Sequence, residues 1–253
     1  MSVKKILIMG HTGFVGSNLS EYLKDKYGKS IEILGYNSKS TMDDLEKALA
    51  ECDFVFDLAA VHRPQNEEDF TTVNYDLLDT VCKILEKRDT KVPVVYTSSI
   101  QCGNGSPYGI SKGKGEERVL TYSKETGTRA YVLRLTNTYG PKARPNGHSV
   151  VATFCYNLTR DIPIRVDNRE SMIRFCYIDD VLKELTAYME DEEGHKTGIH
   201  NIPEECIDNV SVGELADLLN SFKDAVRNGE EAELQNRFEE NLYNTYVSYL
   251  PEE

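Results

Sequence analysis

Short apolar runs alternate along this chain with stretches whose apolar positions recur every three or four residues. VKKILIMG, IEILGY, DFVFDLAAV, VPVVYTSS and RAYVLRLTN are brief, bounded and rich in Val, Ile, Leu and Phe. Apolar runs of that length predict strands covered on both faces. Between them, GFVGSNLSEYLKDKY places Phe14, Val15, Leu19, Tyr22 and Leu23 at helical spacing. MDDLEKALAEC, NEEDFTTVNYDLLDTVCKILEKR and YGISKGKGEERVLTYSKETG predict three more helices. This strand–helix repetition predicts an α/β fold, a Rossmann-type doubly wound parallel sheet.

After Asn137 the regularity weakens. TYGPKARPNGHS reads as a loop, VVATFCYNLTRD as a helix and IPIRVD as a strand, and RFCYIDD leads into a helix beginning near Asp179. Two further helices are predicted around SVGELADLLNSFKDAVRNG and EEAELQNRFEENLYNTYVSYL. The expectation is a single domain over 1–253. Residues 1–137 form mainly the dinucleotide-binding core, and 138–253 a small C-terminal substrate-binding lobe with some returning core elements. The later segments are expected to close over the carboxyl ends of the strands, where open α/β sheets bind ligands. Tyr243, Tyr246 and Tyr249 read as a packing face, and the acidic stretch NGEEAELQNRFEEN as a solvated one.

Composition narrows the function classes. The 253 residues carry a formal net charge of −13, which argues against a nucleic-acid binder needing a basic face. An anionic small ligand stays open, because a local pocket can be positive on an acidic protein. No apolar run approaches the roughly 18 residues of a membrane span. The run ILIM near the N-terminus is too short for a secretory signal, and no small-residue cleavage site follows it. Six cysteines without a C-x-x-C pair give neither a zinc site nor a disulfide framework, so free thiols, a cytoplasmic location and no metal are expected.

Two motifs carry chemistry. Gly10, Gly13 and Gly16 in ILIMGHTGFVG lie between the first strand and the first helix. Glycine permits a tight turn there and lets backbone N–H groups approach a pyrophosphate at the helix N-terminus. An acid at the end of the second strand would bind the ribose of NAD and repel the 2′-phosphate of NADP. LGYNSKS has none, while Asn37, Ser38 and Lys39 can donate to a phosphate, so NADP(H) is favoured over NAD(H). The second motif is Tyr108-Gly-Ile-Ser-Lys112. Positions i and i+4 share a helix face, so Lys112 lies beside Tyr108 and is expected to lower its pKa. Ser99, closing the strand just upstream, can hold the same substrate oxygen.

With these motifs in place the chain resembles the extended short-chain dehydrogenase/reductases, the NAD-dependent epimerase/dehydratase family, from about residue 4 to about residue 190. The resemblance implies Ser99, Tyr108 and Lys112 as catalytic residues. Around the cofactor it implies the turn GHTGFVG (Gly10, Gly13, Phe14, Val15, Gly16), then DLAA with Leu58, Ala59 and Ala60, then Tyr108, Lys112 and Leu135. Asn74 matches a helix asparagine that steadies the fold. RLTNTYGP matches a segment whose Asn137 touches substrate, and RFCYIDDV one whose Arg174 faces a sugar-nucleotide phosphate. His62, Arg63, Arg144 and His148 are further substrate candidates from loops expected at the ligand edge.

Ser99 and Tyr108 are only nine positions apart, a shorter loop than most epimerases and dehydratases of this family carry. The residues after Ser99 also lack the dehydratases' acid pair. AAVHRPQNEEDF, SSIQ, PYGISKGKGE, HSVVATFCYNLTRDIPIRV and LYNTYVSYLP resemble one subfamily. It is the reductase half of the capsular-polysaccharide enzymes that make UDP-N-acetyl-L-fucosamine. The resemblance implies NADPH-dependent reduction of a UDP-linked 4-keto-6-deoxy sugar. In those enzymes a zinc-holding cupin domain then epimerises C3. His11, His62, His148, His195 and His200 are the only histidines here and make no such metal set, so that step is not carried over. The chain is expected to be either part of such an enzyme or a stand-alone reductase, homodimeric and served by a separate cupin-type epimerase. An NAD-dependent 4-epimerase and a non-catalytic dinucleotide sensor are the rival readings.

Overall fold

In the computed structural model, residues 3–61, 66, 68–147, 149–190 and 194–251 are described. Contacts divide the chain into two compact units. One holds the residues up to Leu135 together with Leu182–Ile202, and the other holds Thr136–Val181 and the residues from Pro203 onward.

The first unit is built on the predicted apolar runs. Strands β1 (Lys4–Met9), β2 (Ile31–Tyr36), β3 (Phe54–Asp57), β4 (Val94–Ser99) and β5 (Ala130–Leu135) form a parallel sheet in the order β2-β1-β3-β4-β5. Helices α1 (Phe14–Tyr27), α2 (Met42–Glu51), α3 (Glu68–Thr71), α4 (Leu77–Glu86) and α5 (Pro107–Thr126) connect them. The order reverses beside β1, the crevice where doubly wound sheets take their ligands. Register pairs Met9 with both Tyr36 and Asp57, and Ser99 with Leu135. The strand ends bearing Gly10, Asn37, Leu58 and Ser99 therefore line up at one edge of the sheet.

Both faces are apolar, as the runs demand: Ile6, Ile8, Phe56, Val95 and Tyr131 are buried on one of them. Leu7, Val55, Val94, Tyr96 and Val132 pack against Leu45 and Leu49 of α2, Leu78, Val81 and Leu85 of α4, and Val119 and Tyr122 of α5. The stretch read as one long helix over 66–88 carries a π-turn at Thr72–Asp76 between α3 and α4. A sixth strand, β8 (Gly198–Asn201), pairs in parallel with β5.

In the second unit, RAYVLRLTN does not stay one strand. It breaks at Thr136, and β6 (Asn137–Tyr139) joins a separate sheet in the order β6-β7-β9, with β7 (Met172–Tyr177) and β9 (Ile207–Ser211). Helices α6 (Val150–Leu158), α8 (Val212–Asn228) and α9 (Arg237–Val247) belong to this unit. Helix α7 (Ile178–Glu190) starts in it and ends in the first. IPIRVD is not a strand. Pro163 lacks an amide donor and Ile162 is 42% exposed, so the segment has neither a ladder nor a covered face. The last helix is shorter than predicted: its N-cap is Asn236, whose side chain accepts from the Glu239 amide. Tyr246 is buried and Tyr243 meets Phe222 edge-on at 5.2 Å, while the Tyr249 hydroxyl donates to the Ala143 carbonyl.

Candidate active site

The glycine turn has the close approaches its sequence implies. Gly10 adopts φ +77°, and its amide donates to the Tyr36 carbonyl at 2.8 Å, which ties the turn to the end of β2. A Cβ on Gly16 would lie 2.2 Å from the Gly10 oxygen and 2.8 Å from the His11 Cα. A Cβ on Gly10 would press on the backbone of Leu58 and Ala59 at 3.1 Å. Helix α1 begins at Gly13 with no side-chain cap and no acid in its first turn. The residues therefore fit the dinucleotide the fold implies: a cradle a single methyl would fill, opening on uncapped helix amides. Beyond β2, Asn37 accepts from the Lys39 amide at 2.8 Å, and Ser38 and Lys39 are exposed. The acid nearest in sequence after this turn, apart from exposed Asp43, is Asp44, and its carboxylate closes the α2 capping box with Thr41.

The loop from Ser99 to Tyr108 is short because it is wound as successive turns. The Cys102 amide donates to the Ser99 carbonyl at 2.9 Å and the Asn104 amide to the Gln101 carbonyl at 3.1 Å. Gly103 and Gly105 take φ +84° and +78°, where a side chain would be strained. Asn104 Oδ1 then accepts from both the amide and the hydroxyl of Ser106, which caps α5 by accepting from the Gly109 amide at 3.0 Å. Pro107 occupies the first helical position, and Tyr108 follows at once. The Ser99 and Tyr108 hydroxyls approach each other across this loop, and Ser99 pulls the Tyr108 pKa down. Ser99 also accepts from the Gln101 amide at 3.1 Å.

Lys112 is 1% exposed, and its Nζ donates to the Thr97 carbonyl at 2.9 Å. Burial lowers its pKa to about 8, with Asp57 and Glu116 opposing. Asp57, 3% exposed at the end of β3, is raised by burial to about 6 against the pull of Lys112 and the Ala59 amide. Burial also pushes Tyr108 up to about 12, against the pull of Ser99. Burial sets the sign of the Tyr108 shift. The i, i+4 lysine shares the helix face with Tyr108, but its ammonium is directed at Thr97, and the buried phenol holds its proton. Glu116 is also buried. Against that burial, the forked Arg134 (2.8 and 2.7 Å) and the Ser98 hydroxyl (2.5 Å) keep its carboxyl below the usual range.

Asn74 lies in the π-turn, 1% exposed. Its Oδ1 accepts from the Val61 amide at 2.8 Å, and its Nδ2 donates to the Val61 carbonyl at 3.2 Å and to Ser111 Oγ at 3.1 Å. One side chain thus joins the strand end after Leu58, Ala59 and Ala60 to the helix carrying Tyr108 and Lys112. Sequence reasoning missed Tyr96, Gly115 and Glu116 around Lys112. Helical spacing would have found the last two, at i+3 and i+4 from Lys112.

Asn137 and Arg174 come together in the second unit, where Asn137 Nδ2 donates to the Arg174 carbonyl at 3.2 Å. Arg174 Nη2 donates to both carboxylate oxygens of Glu204, at 2.6 and 2.8 Å. Arg144 is exposed. His62, Arg63 and His148 lie outside the described residues.

The model of the "NAD dependent epimerase/dehydratase family" matches residues 6–202. A Pseudomonas aeruginosa protein named UDP-2-acetamido-2,6-beta-L-arabino-hexul-4-ose reductase is 35% identical over 98% of this chain and 66% of its own length. The structure of the capsular polysaccharide assembling protein CapF from Staphylococcus aureus superposes with a TM-score of 0.86 at 36% identity, covering 97% of this chain and 66% of that one. A Bacillus cereus UDP-glucuronic acid 4-epimerase solved with NAD shares the fold, with a TM-score of 0.80 at 18% identity over 97% of this chain and 98% of its own. The chain thus spans just under two thirds of the first two relatives.

Proposed function

Because the chain belongs to the NAD dependent epimerase/dehydratase family, we propose that it is an oxidoreductase that reduces the 4-keto group of a UDP-linked 2-acetamido-2,6-dideoxy-hexulose with NADPH. The product would serve capsule or surface polysaccharide synthesis. The observation that carries this reading is the buried Ser99–Tyr108 hydroxyl pair beside Lys112, at the strand edge that also bears the glycine cradle. The named activity of the Pseudomonas aeruginosa relative supports the choice of substrate.

Gly10, Gly13, Phe14, Val15 and Gly16 would hold the pyrophosphate, with Leu58, Ala59, Ala60 and Leu135 lining the dinucleotide's path. When bound, the dinucleotide supplies the hydride that reduces the carbonyl carbon. Ser99 orients the carbonyl oxygen by a hydrogen bond. Tyr108 gives its phenolic proton to that oxygen as the alcohol forms, so ketone, hydride and proton together account for the product. A phenol held protonated up to about 12 suits this donor role at neutral pH. Lys112, one helical turn on from Tyr108, would add a positive field that favours the phenolate left after transfer. Asn137 and Arg174 would contact the sugar nucleotide, with Arg174 exchanging Glu204 for a phosphate of like charge.

The preference for NADPH rests on the absence of an acid from Gly35 to Ser40 and on the donors Asn37, Ser38 and Lys39. In the same reading the protein is a cytoplasmic homodimer whose product passes to a cupin-type epimerase. The test is turnover of UDP-linked 4-keto sugars with NADPH and NADH compared. Consumption of one NADPH per sugar supports the reductase. Turnover without added dinucleotide would instead identify the 4-epimerase.

A further inference from the structure

Lys112 is an ammonium in a nearly dry site, and something must hold it there. Among the described residues, three elements bring charged or titratable groups to it: Asp57 from β3, Glu116 from its own helix α5, where Tyr108 lies one turn earlier, and Tyr96 from β4. Among the described residues its one hydrogen bond is to the Thr97 carbonyl at 2.9 Å. The contact the mechanism has not used is with Tyr96, whose ring centroid lies 4.6 Å from Nζ.

Tyr96 is itself fully buried, and among the described residues its hydroxyl has no hydrogen-bond partner. A buried hydroxyl left unpaired is costly, and phenylalanine would fill the same core without that cost. The ring is held tightly from above. A Cβ on Gly115 would fall 2.4 Å from the Tyr96 oxygen and 2.6 Å from the ring carbon bearing it. Gly115 lies three residues beyond Lys112, so one face of α5 presents the ammonium and, a turn later, a notch for the ring. On β4, Tyr96 and Ser98 point to the same side, and Ser98 binds Glu116 on that face of α5.

We propose that Tyr96 is a positioning residue for Lys112: its ring face, seated under Gly115, holds the ammonium in its charged form beneath Tyr108, and its hydroxyl plays no part. This rests on the role given to Lys112 in the proposed reduction. A cation over an aromatic face is favoured most where water is excluded, and the neutral amine gains nothing from the ring. The ring therefore raises the pH at which Lys112 loses its proton, in the same direction as Asp57 and Glu116.

The test follows the Lys112 titration by NMR of ¹³Cε-labelled lysine, assigned by Lys112→Met, alongside the pH profile of reduction. In Tyr96→Leu, and in Tyr96→Met, which keeps the volume should Leu fail to fold, the Lys112 titration is expected to fall by about one pH unit. The upper limb of the activity profile should move with it. Tyr96→Phe restores the wild-type titration and melts at or above the wild-type temperature. Tyr122→Leu, a comparable loss in the same core away from Lys112, lowers the melting temperature without moving the titration. The proposal is overturned if Tyr96→Leu or Tyr96→Met titrates like wild type. It is equally overturned if Tyr96→Phe shifts as far as they do, or if Tyr122→Leu shifts as well. Should Lys112→Met reduce the sugar as fast as wild type, the reading of the site falls with it. If only Lys112→Met loses activity, the assignment of Tyr96 fails alone.

Discussion

In the proposed reduction Tyr108 is the proton donor, a role that depends on how burial and its neighbours set its pKa. Its phenol is held up to about 12, so at neutral pH it would enter that reaction as a donor. Tyr108→Phe should lower kcat by about 10²–10⁴-fold while NADPH binding, measured by fluorescence titration, stays within about twofold. A loss of binding equal to the loss of rate would mean that the hydroxyl serves the cofactor and not proton transfer. The lysine gives a pH signature of its own. The folded pKa of Lys112 is lowered to about 8 from 10.5, so its charge fades as pH rises through about 8. Reduction should decline over that interval. Asp57 favours the charged form, so Asp57→Asn should move the decline to lower pH, read from kcat/KM between pH 6 and 9 at about half-unit steps. A shift to higher pH would show that Asp57 does not act on Lys112. The Tyr108–Lys112 pair was legible in the sequence because a helix fixes i, i+4 neighbours. The sign of the Tyr108 shift was not legible, because it comes from burial beneath strands distant in sequence.

Elements set which residues meet. The cofactor turn was legible because strand, glycines and helix are consecutive, and the structure adds how little space is left. Gly16→Ala places a methyl 2.2 Å from a backbone oxygen that cannot swing aside. It should cost about 1–3 kcal/mol by thermal or urea unfolding and reduce NADPH affinity in parallel. An alanine variant as stable as wild type would mean that the turn is looser than described. The meeting of Ser99 and Tyr108 was not legible from the spacing of nine. It depends on Gly103 and Gly105 adopting positive φ and on Asn104 bracing Ser106, features of turn chemistry and not of periodicity. β8 was missed for a different reason. GIHN is too short and too polar to stand out, and it is a strand because β5 offers an open edge. IPIRVD failed in the opposite sense, being apolar enough but interrupted by Pro163.

At the scale of the whole molecule, one unit carries the glycine cradle and the Ser99–Tyr108–Lys112 set on the carboxyl ends of a six-stranded sheet. The other carries Asn137, Arg144 and Arg174 among a three-stranded sheet and its helices. An overall charge of −13 repels a free nucleotide sugar at long range, so the proposed function calls on local cations, and Arg174 would serve by releasing Glu204. The central claim is that hydride from NADPH ends on C4 of a UDP-linked keto sugar while the oxygen there takes a proton. Incubation with NADPH deuterated at the transferring position and UDP-2-acetamido-2,6-dideoxy-hexul-4-ose tests this directly. The prediction is one deuterium at C4 of the product for each NADPH consumed, read by NMR and mass spectrometry. Conversion of the sugar with NADPH unconsumed and no deuterium at C4 would contradict it.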